Sequence, residues 1–384
     1  MDERTRLIRP ATRRPDRRRP VNPSVERATT LINPTAAAVA DSSTGPVYGI
    51  EGLGVHRALE EAIRDLEGAR HAFLVPTGLA AVTVACLALL KAGDAALVTD
   101  AAYGPTRRFF EREMKRWGVT TRFYSPTGSP SEILGEPAAG AKLLLVEQPG
   151  SLTFDLLDVP ALAAAARARG LVSVMDTTWS AGLLFKPLAK GVDVSVQALS
   201  KYAGGHSDVF LGSIATNDDG LARRIANTIE DLGWYVSPDD AWLVLRGVRT
   251  LPLRLAEHGR SAMKVAEWLE RQPEVARVLY PALPSHPGHA LWKRDYSGAS
   301  GLMGVVLRPG PPEAAEAMLD ALELFGLGYS WGGFESLATY EDRQLKRRVR
   351  QPDLGGPLIR LHIGLESPDD LIADLRRGLD VYGR

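Results

Sequence analysis

From residue 96 to residue 214 the chain alternates short apolar runs with amphipathic stretches. The runs at 96–99, 143–147, 172–176, 194–200 and 209–214 have strand length, and the stretches at 106–117, 159–169 and 181–188 between them have helical character. Apolar strands alternating with helices predict a mostly parallel sheet covered on both faces. Ligands of such sheets gather at the C-terminal strand ends. The polar residues of the repeat fall there: Asp100 and Tyr103, Glu147-Gln148, Asp176-Thr177-Thr178-Trp179, and Ser200-Lys201.

The 384 residues exceed what one compact core accommodates, which predicts two domains. From residue 221 the pattern turns helical. A long helix over 254–271, then strands at 275–280, 304–307 and 358–363, predict a smaller α+β domain. The expected division is an arm at 1–47, a large domain at 48–250 and a small domain at 251–384. A formal net charge of +0 gives no global reason to bind nucleic acid or an anionic membrane. The single cysteine, Cys86, lies in an apolar run and is expected in the core, which fits a cytoplasmic setting. There is neither an apolar run of about 18 residues for a membrane span nor the apolar centre of a secretory signal. Residues 1–20 are rich in arginine and proline and are expected to be extended or disordered. They suit a solvated tail, an arm laid on a partner subunit, or a nucleic-acid or targeting segment.

Lys201 lies in VSVQALSKYAGGHSDVFLGS, at the end of a strand run and just before Gly204-Gly205. Burial there would lower its pKa and make it a nucleophile or Schiff-base former. The alternative is a surface lysine in a glycine-rich hairpin. Asp176 precedes it by 25 positions and also closes a strand run. The two side chains could form a plain salt bridge or hold a cofactor between them. Gly78 follows Pro76-Thr77 and opens an apolar helix over 79–90, a natural phosphate seat or an ordinary helix cap. Arg360, in mid-strand, needs an anion, which could be a ligand carboxylate or a structural acid. His362 reads as a satisfied strand histidine. An amine, an acid and a phosphate-binding turn are the parts that pyridoxal phosphate (PLP) requires: the amine holds its aldehyde, the acid keeps its ring nitrogen protonated, and the turn holds its phosphate.

The motifs YGIEG, VPTGLAA, TDAAYGP, VEQPGS, MDTTWSAG, VSVQALSKYAGGHSD, RGVRTL, YSWGGFESL and LIRLHIGLE occur in this order from Tyr48 onward. With them the chain resembles the Cys/Met-metabolism family of PLP-dependent enzymes, in particular the bacterial cystathionine β-lyase type. The resemblance implies a type I (aspartate aminotransferase-like) α/β fold and a homotetramer, a dimer of dimers with shared active sites. It implies that Lys201 is the Schiff-base lysine, that Asp176 pairs with the ring nitrogen, and that Tyr103 stacks on the ring and takes part in proton transfer. Gly78, the Leu79 amide and Ser200 would hold the phosphate, and Tyr48 would reach the phosphate of a neighbouring subunit. Arg360 would bind the substrate carboxylate, helped by Ser330. The implied reaction is β-elimination of L-cystathionine, or a related cysteine S-conjugate, to a thiol (homocysteine), pyruvate and ammonia. Trp331, His362 and Ala198 follow the β-lyase pattern of the family. A γ-lyase, γ-synthase or sulfhydrylase is the alternative within it. A non-catalytic protein that binds nucleic acid through its arginine-rich tail is the alternative from another class. One position departs from the family: Ile50 stands where an arginine usually clamps the phosphate. A charge-assisted hydrogen bond is worth about 1.5–3 kcal/mol, so PLP retention is expected to be weaker unless a residue such as Arg57 substitutes.

Overall fold

Consecutive residues of strand β4 (Ala141–Glu147) serve different cores: Leu143 and Leu145 face one apolar cluster, Leu144 and Val146 another. Strand β5 (Val172–Asp176) divides Val174 and Met175 in the same way. Strands buried on both faces lose the polar alternation of a half-exposed sheet, which is why these runs read as continuous apolar segments. The protein is described here by a computed structural model covering residues 3–8, 20–41, 43, 45–135 and 139–383.

The large sheet has seven strands in the order β1-β7-β6-β5-β4-β2-β3. Its other members are β1 (His71–Val75), β2 (Ala95–Thr99), β3 (Thr120–Tyr124), β6 (Val194–Ala198) and β7 (Gly212–Thr216). Strands β2 to β6 pair in parallel, whereas β7 runs opposite to both β6 and β1. A second sheet of five strands follows, in the order β10-β11-β12-β9-β8. It comprises β8 (Val275–Leu279), β9 (Leu302–Leu307), β10 (Gly326–Leu327), β11 (Leu337–Tyr340) and β12 (Leu358–His362). The helix Leu251–Leu269 leads from one sheet to the other. One apolar cluster runs from Leu144 and Met175 through Val265 to Val305 and Ile359, so the two sheets share packing.

Among the described residues four α-helices precede β3: α1 (Glu3–Ile8), α2 (Gly54–Glu67), α3 (Gly78–Leu89) and α4 (Gly104–Phe109). Helix α2 stops at Gly68, whose left-handed backbone (φ 64°) ends the helix at low cost. Helix α3 is apolar on nearly all sides and lies buried against the sheet, with Cys86 fully inside.

Several expectations need correction. Residues 3–8 are helical, and Leu7 is buried in one apolar cluster with Val55 and Leu59 of α2, which gives this short segment something to bury. Most of the arginine-rich run lies in 9–19, outside the described residues. The expected helix at 181–188 is absent. Ala181 and Gly182 are both left-handed (φ 52° and 63°), which breaks a right-handed helix, and Pro187 follows. The strand expected at 209–214 lies at Gly212–Thr216 and is the reversed member of the sheet. Strands β1, β3, β10 and β11 carried no sequence expectation. Edge strand β3 (TTRFY) is partly polar and β10 has two residues, so neither offers a clear apolar period.

Candidate active site

The C-terminal ends of β4, β5 and β6 lie side by side, and each ends in a polar residue or leads to one. Glu147 stands opposite Asp176 in register, and Asp176 stands opposite Val196 of β6. Lys201 follows β6 in the connection to β7. The antiparallel β6–β7 pair is thus a hairpin with a long loop, yet the lysine in that loop is mostly buried.

Asp176 is held by its neighbour. Thr178 donates both its N–H (2.9 Å) and its hydroxyl (2.6 Å) to Oδ1, and the same hydroxyl accepts the Ala198 N–H at 2.9 Å. This relay ties the acid of β5 to the backbone of β6. Oδ2 makes no hydrogen bond among the described residues. Burial raises the Asp176 pKa, while the Thr178 bonds and Lys201 oppose the rise. Lys201 is pushed down to about 8, first by burial and then by Arg360, with Asp176 opposing. Its Nζ donates to Ser330 Oγ at 2.7 Å and lies 5.4 Å from the centroid of the Trp331 ring. Lys201 and Asp176 feel each other electrostatically but form no ion pair among the described residues, so the salt-bridge alternative does not hold.

The loop that carries Ser330 and Trp331 is pressed onto the lysine turn. Ser330 has a left-handed backbone (φ 83°), and a Cβ on Gly332 would lie 2.7 Å from Tyr202 N and 3.1 Å from Lys201 Cα. Only glycine permits that approach. His362 anchors the same loop: its Nε2 lies 3.1 Å from Gly332 N and 3.2 Å from Gly333 O, while Nδ1 has no partner. Burial depresses its pKa to about 3. The other side of the lysine turn is held by Arg254, which donates to the carbonyls of Tyr202 (2.8 Å) and Gly247 (2.8 Å).

Gly78 begins α3, with Thr77 Oγ1 capping Ala80 N at 3.0 Å. A Cβ at Gly78 would lie 2.3 Å from Ala198 Cβ, so this helix end meets β6 only with glycine there and a small residue at 198. The N–H groups of Gly78 and Leu79 have no partner among the described residues. The Ser200 hydroxyl is engaged with Leu211, donating to its carbonyl at 3.2 Å and accepting its N–H at 3.0 Å.

Tyr103 caps α4 and is half exposed. Burial, together with the Glu147 and Asp176 carboxylates, raises its pKa, with Arg108 and Arg360 opposing, so the phenol keeps its proton. Arg360, in the middle of β12, forms an ion pair with the fully buried Glu341 (Nη1–Oε1 3.3 Å), which also accepts the Thr339 hydroxyl at 2.7 Å. The structural acid considered as the alternative is therefore present, and Arg360 still acts on Lys201 and Tyr103. Tyr48 (50% exposed) and Ile50 (46%) lie at the surface, in and beside the turn Gly49–Glu51. Arg57 is on the exposed face of α2.

Thr178 was expected only as one of the polar strand-end residues, and Glu341 and Arg254 carried no expected role. Thr178 lay within MDTTWSAG, two residues from Asp176, a spacing at which a hydroxyl readily caps a carboxylate. Glu341 and Arg254 also bond near neighbours, but the partners that tie them to the site, Arg360 and Tyr202, lie on other elements and leave no local signal.

These residues fit PLP. Asp176 keeps one carboxylate oxygen free, the start of α3 keeps two N–H donors free, and Lys201 supplies an amine that burial biases toward its neutral form.

The sequence matches the family described as Cys/Met metabolism PLP-dependent enzyme over residues 4–380. A cystathionine beta-lyase of Bordetella avium is 44% identical over 369 residues, covering 94% of this chain and 92% of the relative. The cystathionine beta-lyase of Escherichia coli K12 is 40% identical over 369 residues, covering 93% of each. The crystal structure of a cystathionine gamma synthase from Xanthomonas oryzae pv. oryzae in complex with cystathionine superposes with a TM-score of 0.92 at 30% identity, covering 100% of this chain and 99% of that one.

Proposed function

The chain belongs to the Cys/Met metabolism PLP-dependent enzymes, and on that premise we propose that it cleaves L-cystathionine, with water, to homocysteine, pyruvate and ammonia. The observation that carries this reading is the Lys201 amine, held at 2.7 Å by Ser330, depressed to about 8, and acted on by the mostly buried Asp176 carboxylate, which keeps one oxygen free. When bound, PLP supplies an electron sink for the charge left at the substrate Cα. Lys201 would hold its aldehyde, Asp176 Oδ2 would accept the ring N–H, the Gly78 and Leu79 N–H groups would meet the phosphate, and Tyr103 would stack on the ring. Ser200 would join the phosphate by turning its hydroxyl from Leu211.

Arg360, oriented by Glu341, binds the α-carboxylate of the substrate in this reading, and Ser330 assists. Lys201, as a neutral amine, would take the Cα proton. A base with a pKa near the working pH combines availability with driving force. Tyr103, whose raised pKa keeps its phenol protonated, would pass that proton to the departing thiolate.

The remaining parts of the reading are a homotetramer in the cytoplasm, with Tyr48 reaching into a neighbouring site, and a domain boundary near residue 250. The exposed Tyr48, Phe210, Tyr329 and Phe334 support burial against a second copy. No helix among the described residues is long and apolar enough to cross a membrane. The fall of β1–β7 before residue 217 and β8–β12 after residue 274 supports the boundary.

The likeness to a cystathionine gamma synthase keeps γ-chemistry as the second reading. Incubation of the PLP-loaded protein with L-cystathionine separates the two. Pyruvate is expected, whereas 2-oxobutyrate would transfer the protein to the γ class.

A further inference from the structure

The ring of Tyr103 makes no hydrogen bond among the described residues, so its position depends on its main chain. Among the described residues that main chain has one side-chain anchor: Tyr103 N donates to Glu147 Oε2 at 2.7 Å. The turn around it rests on the same neighbour segment. Ser151 N donates to Ala101 O at 2.8 Å, and a Cβ on Gly150 would lie 2.7 Å from Ala101 Cβ. The contact follows from the sheet order. Strands β2 and β4 are parallel neighbours, so the turn after β2 lies over the end of β4, where Glu147 is the last residue.

Glu147 is costly where it stands. It faces Asp176 in register on the next strand, and burial, followed by that carboxylate, drives its pKa well up, with the Tyr103 N–H, Arg347 and Arg107 opposing. A carboxyl placed beside a second carboxyl, when a smaller apolar residue would also close the strand, calls for a use. We propose that Glu147 is a positioning residue that fixes Tyr103 over the reaction site by accepting its backbone N–H. Asp176 and Glu147 thus divide the work: one carboxyl keeps an oxygen free for the cofactor, and the other spends an oxygen on the tyrosine turn. The role requires an acceptor at this position and no negative charge, so glutamine should serve and alanine should not.

This inference rests on the lyase reading, and the test separates the two. In cofactor-free protein, hydrogen–deuterium exchange of the turn around Tyr103 should quicken roughly tenfold in Glu147→Ala, the scale of one lost backbone hydrogen bond, and return toward wild type in Glu147→Gln. In PLP-loaded protein, kcat for cystathionine should fall roughly tenfold in Glu147→Ala with KM little changed, and Glu147→Gln should recover it. Glu147→Met fills the space without a strong acceptor and serves if the alanine variant is unstable. Wild-type exchange and turnover in both acceptor-free variants would overturn the proposal, as would a glutamine variant as impaired as alanine. Absence of pyruvate from the wild-type enzyme would instead defeat the lyase reading and leave the exchange result standing.

Discussion

Two places in the molecule bury opposite charges, and they do so differently. At the end of the large sheet, Lys201 and Asp176 influence each other without an ion pair. In the small sheet, Arg360 and Glu341 are in contact at 3.3 Å. Unpaired, the first two shift toward their neutral forms, Lys201 downward and Asp176 upward. Paired, Arg360 is also lowered by burial, with Glu341 opposing, but a guanidinium starts so high that it keeps its charge. The unpaired place suits groups that trade protons and wait for a cofactor to complete them. The paired place suits a cation that recognises an anion and does not react.

The sharpest attempt to break this contrast is Lys201→Ala. Loss of the reacting amine should lower turnover by a factor on the order of 10³ or more and abolish the visible absorbance of covalently held PLP. Retention of both would remove the chemistry from the large-sheet site.

The next effect is on stability and sets the two places against each other. Glu341→Gln leaves Arg360 buried without its counter-charge and should cost about 3–5 kcal/mol in denaturant unfolding of the cofactor-free protein. Asp176→Asn replaces an acid already pushed toward its neutral form, so its cost should be far smaller although PLP binding suffers. Equal losses would show that the two sites are not built differently.

The smallest effect is in pH. Lys201 has a folded pKa of about 8, below the unfolded value of roughly 10.4, so the unfolded chain binds more protons between them. Stability of the cofactor-free protein should therefore rise with pH through that window, by an amount on the order of 1 kcal/mol, and Lys201→Ala should flatten the rise. His362, depressed to about 3, adds stability that is present above roughly pH 6.5 and lost as pH falls toward 3. Arg360 should give no slope in either window.

The positions of Lys201, Asp176 and Tyr103 were readable because each closes or follows an apolar run, and a parallel sheet sends all such ends to one edge. Gly78 was readable as the start of a helix, but its crowding by Ala198 was not, since that contact joins residues 120 positions apart in the chain. The reversed β7 was hidden because a strand buried on both faces reads the same in either direction. The helix at 181–188 failed because two left-handed residues in succession outweighed its composition.

By itself, the order of apolar runs and polar strand ends determined that this chain forms a covered parallel sheet with its chemistry at one edge, because side-chain period and strand length are local properties. Tertiary structure alone decided which charges are paired, which oxygen of Asp176 is free, and which carboxyl holds Tyr103. Those outcomes depend on distances between strands and on burial, and both exist only after residues far apart in the chain have been brought together.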